Sequence, residues 1–108
     1  MTETLLLSVD PDHNRFRFFR LALEEERRPV ELHRRWGRVG TDGRHRVERF
    51  ATVEAARERL RTLLALRTRR GYVDAGREDL HEAARTLAHH RAARRAPRQL
   101  QFPLTAGF

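Results

Sequence analysis

The hydrophobic period of this chain changes at Thr52, and that change restricts it to a mixed fold. Before Thr52, apolar residues alternate along short runs. After it, Val53, Ala56, Leu60, Leu63, Leu64 and Arg67 fall at i, i+3, i+7, i+10, i+11 and i+14, the stripe of an amphipathic helix. Thr52 is a suitable N-cap, Glu54 sits where the helix dipole favours an acid, and Gly71 stands where such a helix stops. The spacing predicts a helix over residues 53–70. Its leucines need an apolar sheet face to cover.

The alternating runs supply that face. Residues 4–9, TLLLSV, read as a first strand, and DPDHN, 10–14, as a turn cluster. RFRFFRLAL, 15–23, alternates with apolar groups on both parities, which suits a central strand. From Val30 a third strand places Val30, Leu32, Arg34, Trp36 and Arg38 on one face and Glu31, His33, Arg35, Gly37 and Val39 on the other. A glycine inside a strand marks a bulge or a close backbone approach, so the parity is fixed only up to Gly37. GTDG, 40–43, signals a hairpin and RHRVERFA, 44–51, the returning strand. The expected fold is α+β, a four-stranded antiparallel sheet with one helix packed across it. Tyr72 and Val73 are expected to return to the core.

Two units are expected, residues 1–73 and a basic extension over 74–108. Leu80, Ala83, Ala84, Leu87 and Ala88 predict a second helix over 77–95. Its face is mostly alanine and buries little area, so it has little stability of its own. Acids gather at its start and Arg85, Arg91, Arg94 and Arg95 toward its end, the arrangement that complements a helix dipole. From Arg85 to Arg98 there are five arginines, two histidines and no acid, which in a second reading is a phosphate-contacting arm. The last residues, LQFPLTAGF, carry Leu100, Phe102, Leu104 and Phe108, a tail apolar enough to dock on the domain or on a second copy.

Charge narrows the partner. The chain has 108 residues, a net charge of +8, 39% apolar and 35% charged residues, and all of its 23 basic residues are arginine. That balance points to an anionic partner, nucleic acid first. Exclusive use of arginine also reflects genome composition, so charge alone leaves both readings open. There is no cysteine, no membrane-length apolar run and no basic leader, so the cytoplasm is the default expectation. No catalytic set is visible. The glycines at 37, 40 and 43 match no phosphate-binding loop, the adjacent His89 and His90 diverge on a helix, and Ser8 is the sole serine. Neither enzyme activity, metal nor cofactor is expected.

The densest signal is HRRWGRVGTDGRHRVERF, residues 33–50, with the sole tryptophan and six arginines. Trp36-Gly37-Arg38 followed by Val39-Gly40, the preceding Asn14-Arg15-Phe16, Phe50, the helix and Gly71-Tyr72 resemble a WGR domain over about residues 4–73. That family occurs in DNA-dependent ADP-ribose polymerases and as small stand-alone bacterial proteins. The resemblance implies a sheet with a helix that binds DNA at strand breaks. It implies that Trp36 packs on the sugar of a terminal nucleotide near a 5′-phosphate, that Gly37 lets the backbone approach, and that Arg38 contacts phosphate or a partner. The polymerases' chemistry sits in another domain and does not follow from it.

The residues themselves lead to a similar place. An aromatic flanked by Arg34, Arg35 and Arg38 can stack on a base or sugar while cations hold phosphate. Arg44, Arg46 and Arg49 extend the patch, with Arg91, Arg94 and Arg95 as accessory contacts. The competing reading buries Trp36 against the helix with the arginines reaching outward as a charged edge. The expected function is a non-catalytic module that binds nucleic acid, DNA before RNA. The alternative is a protein-interaction or dimerisation module, a partner of a DNA-processing enzyme, working through the extension.

Overall fold

A computed structural model describes residues 1–95; the tail from Leu100 to Phe108 and Arg98 lie outside the described residues. The elements run β1 (Thr2–Asp10), a 3-10 turn (Pro11–His13), β2 (Arg15–Glu24), β3 (Val30–Arg38), β4 (Arg44–Phe50), α1 (Val53–Arg69), β5 (Val73–Ala75) and α2 (Arg77–Arg95). The sheet is antiparallel in the order β4-β3-β2-β1-β5. The sheet therefore has five strands, one more than the alternation predicts. The fifth is three residues long and pairs with Leu5–Leu7, too short to show a period. Residue 73, the expected boundary of the extension, falls in this strand.

The double apolar parity of β2 is explained by its place in the middle of the sheet. Phe19, Leu21 and Leu23 point to one face, where they join Leu6, Val30 and Leu32 beneath Ala56 and Leu63 of α1. Phe16 and Phe18 point to the other, with Leu7 and Val39, beneath Ala83 and Leu87 of α2. Each helix thus closes one face, and the alanine-rich stripe of α2 is stable because a ready apolar surface lies under it. Tyr72 is buried as expected, but Val73 is 64% exposed, because it sits on the outermost strand.

Both ends of α1 follow from local chemistry. The Thr52 hydroxyl accepts from the Ala55 amide at 3.2 Å. At the far end Gly71, at φ +90°, lets the Tyr72 amide donate to the Arg67 carbonyl and its own amide to the Thr68 carbonyl, each at 3.1 Å. This is a Schellman stop, and it brings Tyr72 back beside Arg67.

The β3–β4 hairpin also depends on one glycine. Gly43 has φ +70°, and a Cβ there would collide with the Trp36 carbonyl. Gly43→Ala should cost at least about 1–2 kcal/mol from the left-handed backbone alone, with the collision adding to it. A lowered urea midpoint at unchanged slope is the expected measurement.

Candidate nucleic-acid interface

Alternation on β3 puts Trp36 on the α1 face, opposite Phe19 of β2 and Arg44 of β4. The indole is half-buried and packs on the rim of the core under α1. Neither expectation for it holds alone: its inner side is in the core, and the ring also lines an open cleft of about 410 Å³. The other walls of that cleft are Arg17, Gly37, Arg38, Arg67 and Tyr72.

Each wall has a structural reason to be there. The Arg67 guanidinium lies 4.2 Å from the centre of the Phe19 ring and 5.4 Å from that of Tyr72. Its Nε is buried without a hydrogen-bond partner. Arg38 donates to the Asn14 carbonyl at 3.3 Å and to its side-chain oxygen at 3.0 Å. The guanidinium sits 5.5 Å from the centre of the Phe16 ring. Asn14 reaches Arg38 from a left-handed turn at φ 52°, a conformation asparagine tolerates. Among the described residues, Arg17, Arg38, Arg44, Arg46 and Arg67 take part in no ion pair. Their charge is available to a ligand.

Other arginines are already occupied. Arg34 lies 5.6 Å from the centre of the Trp36 ring and is paired with Glu48 at 3.1 Å, its side chain only 14% exposed. Burial holds its guanidinium below the usual arginine value, with Glu48 opposing the shift. Arg34 therefore braces the tryptophan from behind. Cross-strand pairing puts Arg44 beside Trp36 and Arg46 beside Arg34, both exposed on the same face.

Arg35 and Arg49 are not brought to this cleft. Arg35 has the opposite parity and donates to the Asp42 carbonyl at 3.1 Å. Arg49 sits beside Glu31 in the register, also away from Trp36, and bonds its carboxylate at 3.1 Å. On α2, Arg91, Arg94 and Arg95 are exposed and lie outside the cleft. Sequence reasoning passed over Arg17, Arg67 and Tyr72 as site residues. The signal for two of them was present: Arg67 ends the apolar stripe of α1, and Gly71 announces the turn that returns Tyr72.

The opposite face of β3 holds a polar network. His33 bonds Glu31 at 3.1 Å through one ring nitrogen and His45 at 3.2 Å through the other. Glu24, Glu31 and His33 offer ligand atoms within 4.8 Å of one another, yet Arg27 and Arg49 already neutralise these carboxylates. The bond from His33, then Arg27 and Arg49, holds the Glu31 carboxyl below its ordinary 4.5 despite burial. A depressed carboxyl stabilises the fold above its unfolded value and loses that contribution as pH falls through the folded one. Glu31→Gln should therefore make the loss of stability below pH 4.5 shallower. It should not abolish that loss, because the bonds from His13 to Asp10 and from Arg57 to Glu25 hold those carboxyls down too. Urea midpoints across an acid series would show it.

Comparisons with known proteins agree with this architecture. The WGR domain family matches residues 2–79. Protein YehF of Escherichia coli (strain K12) is 31% identical over 62 residues, which is 57% of this chain and 23% of YehF. A crystal structure of a protein from Bacteroides fragilis superposes with a TM-score of 0.59 at 21% identity, covering 73% of this chain and 21% of that one. This chain thus spans under a quarter of the length of either. Among the described residues no helix is long and apolar enough to cross a membrane.

Proposed function

The chain belongs to the WGR domain family, whose domain is commonly a nucleic-acid-binding module rather than a catalytic one, and from that premise we propose that it binds DNA at ends or nicks carrying a 5′-phosphate. The observation that carries this reading is the cleft itself, a half-buried tryptophan among Arg17, Arg38 and Arg67, none of them in an ion pair among the described residues. Trp36 offers a ring face for a sugar or base. Gly37 keeps the wall low beside it, and Arg38, positioned by Asn14, holds phosphate. Arg44 and Arg46 carry the basic surface along β4, and Arg34 keeps the indole in place. Arg35 and Arg49 are given no part.

Fluorescence anisotropy with nicked, blunt and intact duplexes over a salt series tests the proposal. Four phosphate contacts would give a log–log salt slope of roughly −3.6. A 5′-phosphate should be preferred over a 5′-hydroxyl, and Arg38→Gln should reduce both the preference and the slope. Absence of binding at low salt would remove the reading. Equal affinity for phosphate and hydroxyl ends would reduce it to general coating.

A second reading, an interaction module, has one observation in its favour. Val9 and Val73, 40% and 64% exposed, flank a groove between the β1–β5 edge and α2. Light scattering at monomer mass across a concentration series would rule out self-association.

A further inference from the structure

The family match ends at residue 79, so nearly all of α2 lies beyond it. Leu80, Ala83, Leu87 and His90 form its sheet-facing stripe. At 100° per residue, Arg94 continues that stripe one turn, about 6 Å, past His90. Arg91 stands about 60° to one side of it, and Arg85 points about 180° away.

The stripe arrives at the corner that holds the tryptophan–glycine–arginine motif. The His90 ring lies 5.4 Å from the Phe16 ring, and the Arg38 guanidinium lies 5.5 Å from that same ring. α2 also packs against the 3-10 turn that leads into Asn14, the residue holding Arg38. Charged groups at that turn are Asp10, the last residue of β1, paired with His13 at 2.7 Å, and the exposed Asp12. Arg91 and Arg94 are exposed and, among the described residues, enter no ion pair with either. Two guanidiniums remote in sequence from the cleft thus lie just past the end of the stripe that meets Phe16, the ring on which Arg38 also rests.

We propose that the C-terminal end of α2 is a second phosphate-binding arm, in which Arg94 with Arg91 holds the backbone of the duplex flanking a strand end seated at Trp36. The proposal rests on the reading of the cleft given above. It makes the ligand a strand end within a duplex, since a single strand occupying the cleft has no second backbone to offer the arm. The opposing idea, that these arginines only offset the helix dipole, predicts an effect on α2 stability and none on binding.

The test uses the full chain with a 5′-phosphorylated oligonucleotide, free and as the end of a duplex. Arg94→Gln should weaken duplex binding and make its salt slope shallower by about 0.9, the share of one phosphate. The free strand should bind as before. Arg91→Gln/Arg94→Gln should lower the slope by about 1.8. Arg94→Lys should keep it, and Arg85→Gln, the same charge change on the far side of the helix, should leave it unaltered. The proposal is overturned if Arg94→Gln and Arg85→Gln behave alike, or if duplex and free strand weaken equally. A lower melting temperature with unchanged slope would leave only the dipole role. If the unaltered chain binds neither oligonucleotide, the reading of the cleft fails first and the arm falls with it.

Discussion

Replacing Phe19 by alanine should cost about 3–5 kcal/mol of folding stability, the range for deleting a fully buried phenyl group. Phe19 has no exposed surface, lies on the central strand, and meets Leu6 on one neighbour and Trp36 on the other. Tyr72 packs edge-on against it at 6.4 Å between ring centres. A domain of this size has only about 5–15 kcal/mol in total, so much of the population should unfold at moderate urea. The same ring is the platform under Arg67 at 4.2 Å. Phe19→Leu separates the two roles. It keeps most of the apolar volume and should fold, but Arg67 loses the nearer of its two aromatic faces, a kind of contact worth about 0.5–1 kcal/mol when exposed and about 2 or more when desolvated. Leucine should therefore reduce binding to DNA ends more than it reduces the urea midpoint. Equal binding by the leucine variant and the parent would show that Arg67 needs no such support.

The dependence of the cleft on buried residues explains which parts of it the sequence disclosed. The period change at Thr52, the cap and the glycine stop are local signals, and α1 begins at Val53 as they place it and ends at Arg69, one residue short of the expected 70. The two-sided strand at 15–23 was visible because both parities carried phenylalanine or leucine. That same fact called for a cover on the second face, yet the alanine face of α2 gave no hint of how well it would dock. Phe16 and Phe18 make up for it by supplying the apolar surface. Arg35 could have been separated from Trp36 by parity alone. Arg49 could not, because its face depends on the β3–β4 register, which the loop geometry around Gly43 sets. Arg17 was hidden for a third reason. It reaches the cleft through pairing of β2 with β3, a contact between segments far apart in sequence.

Trp36→Ala should weaken binding to a DNA end by about 1–3 kcal/mol, the value of one base stacked on an aromatic ring, or roughly 5- to 150-fold. Electrostatics cannot make up the difference, because the substitution removes no charge and should leave the salt slope where it was. The affinity curve should shift in parallel across the salt series, whereas an arginine variant changes its steepness. Trp36 also packs on the core rim, so alanine costs stability as well. Trp36→Phe guards against that confusion, since it keeps a ring and much of the packing and should bind between the two. The tryptophan is the only one in the chain, so its fluorescence reports the contact directly. A half-buried indole in an open cleft should be partly accessible to iodide, and a 5′-phosphorylated oligonucleotide should protect it. If the oligonucleotide binds while iodide quenching stays the same, and alanine binds as tightly as tryptophan, the ring serves only to hold α1 on the sheet. The anionic ligand would then be held by the guanidiniums alone.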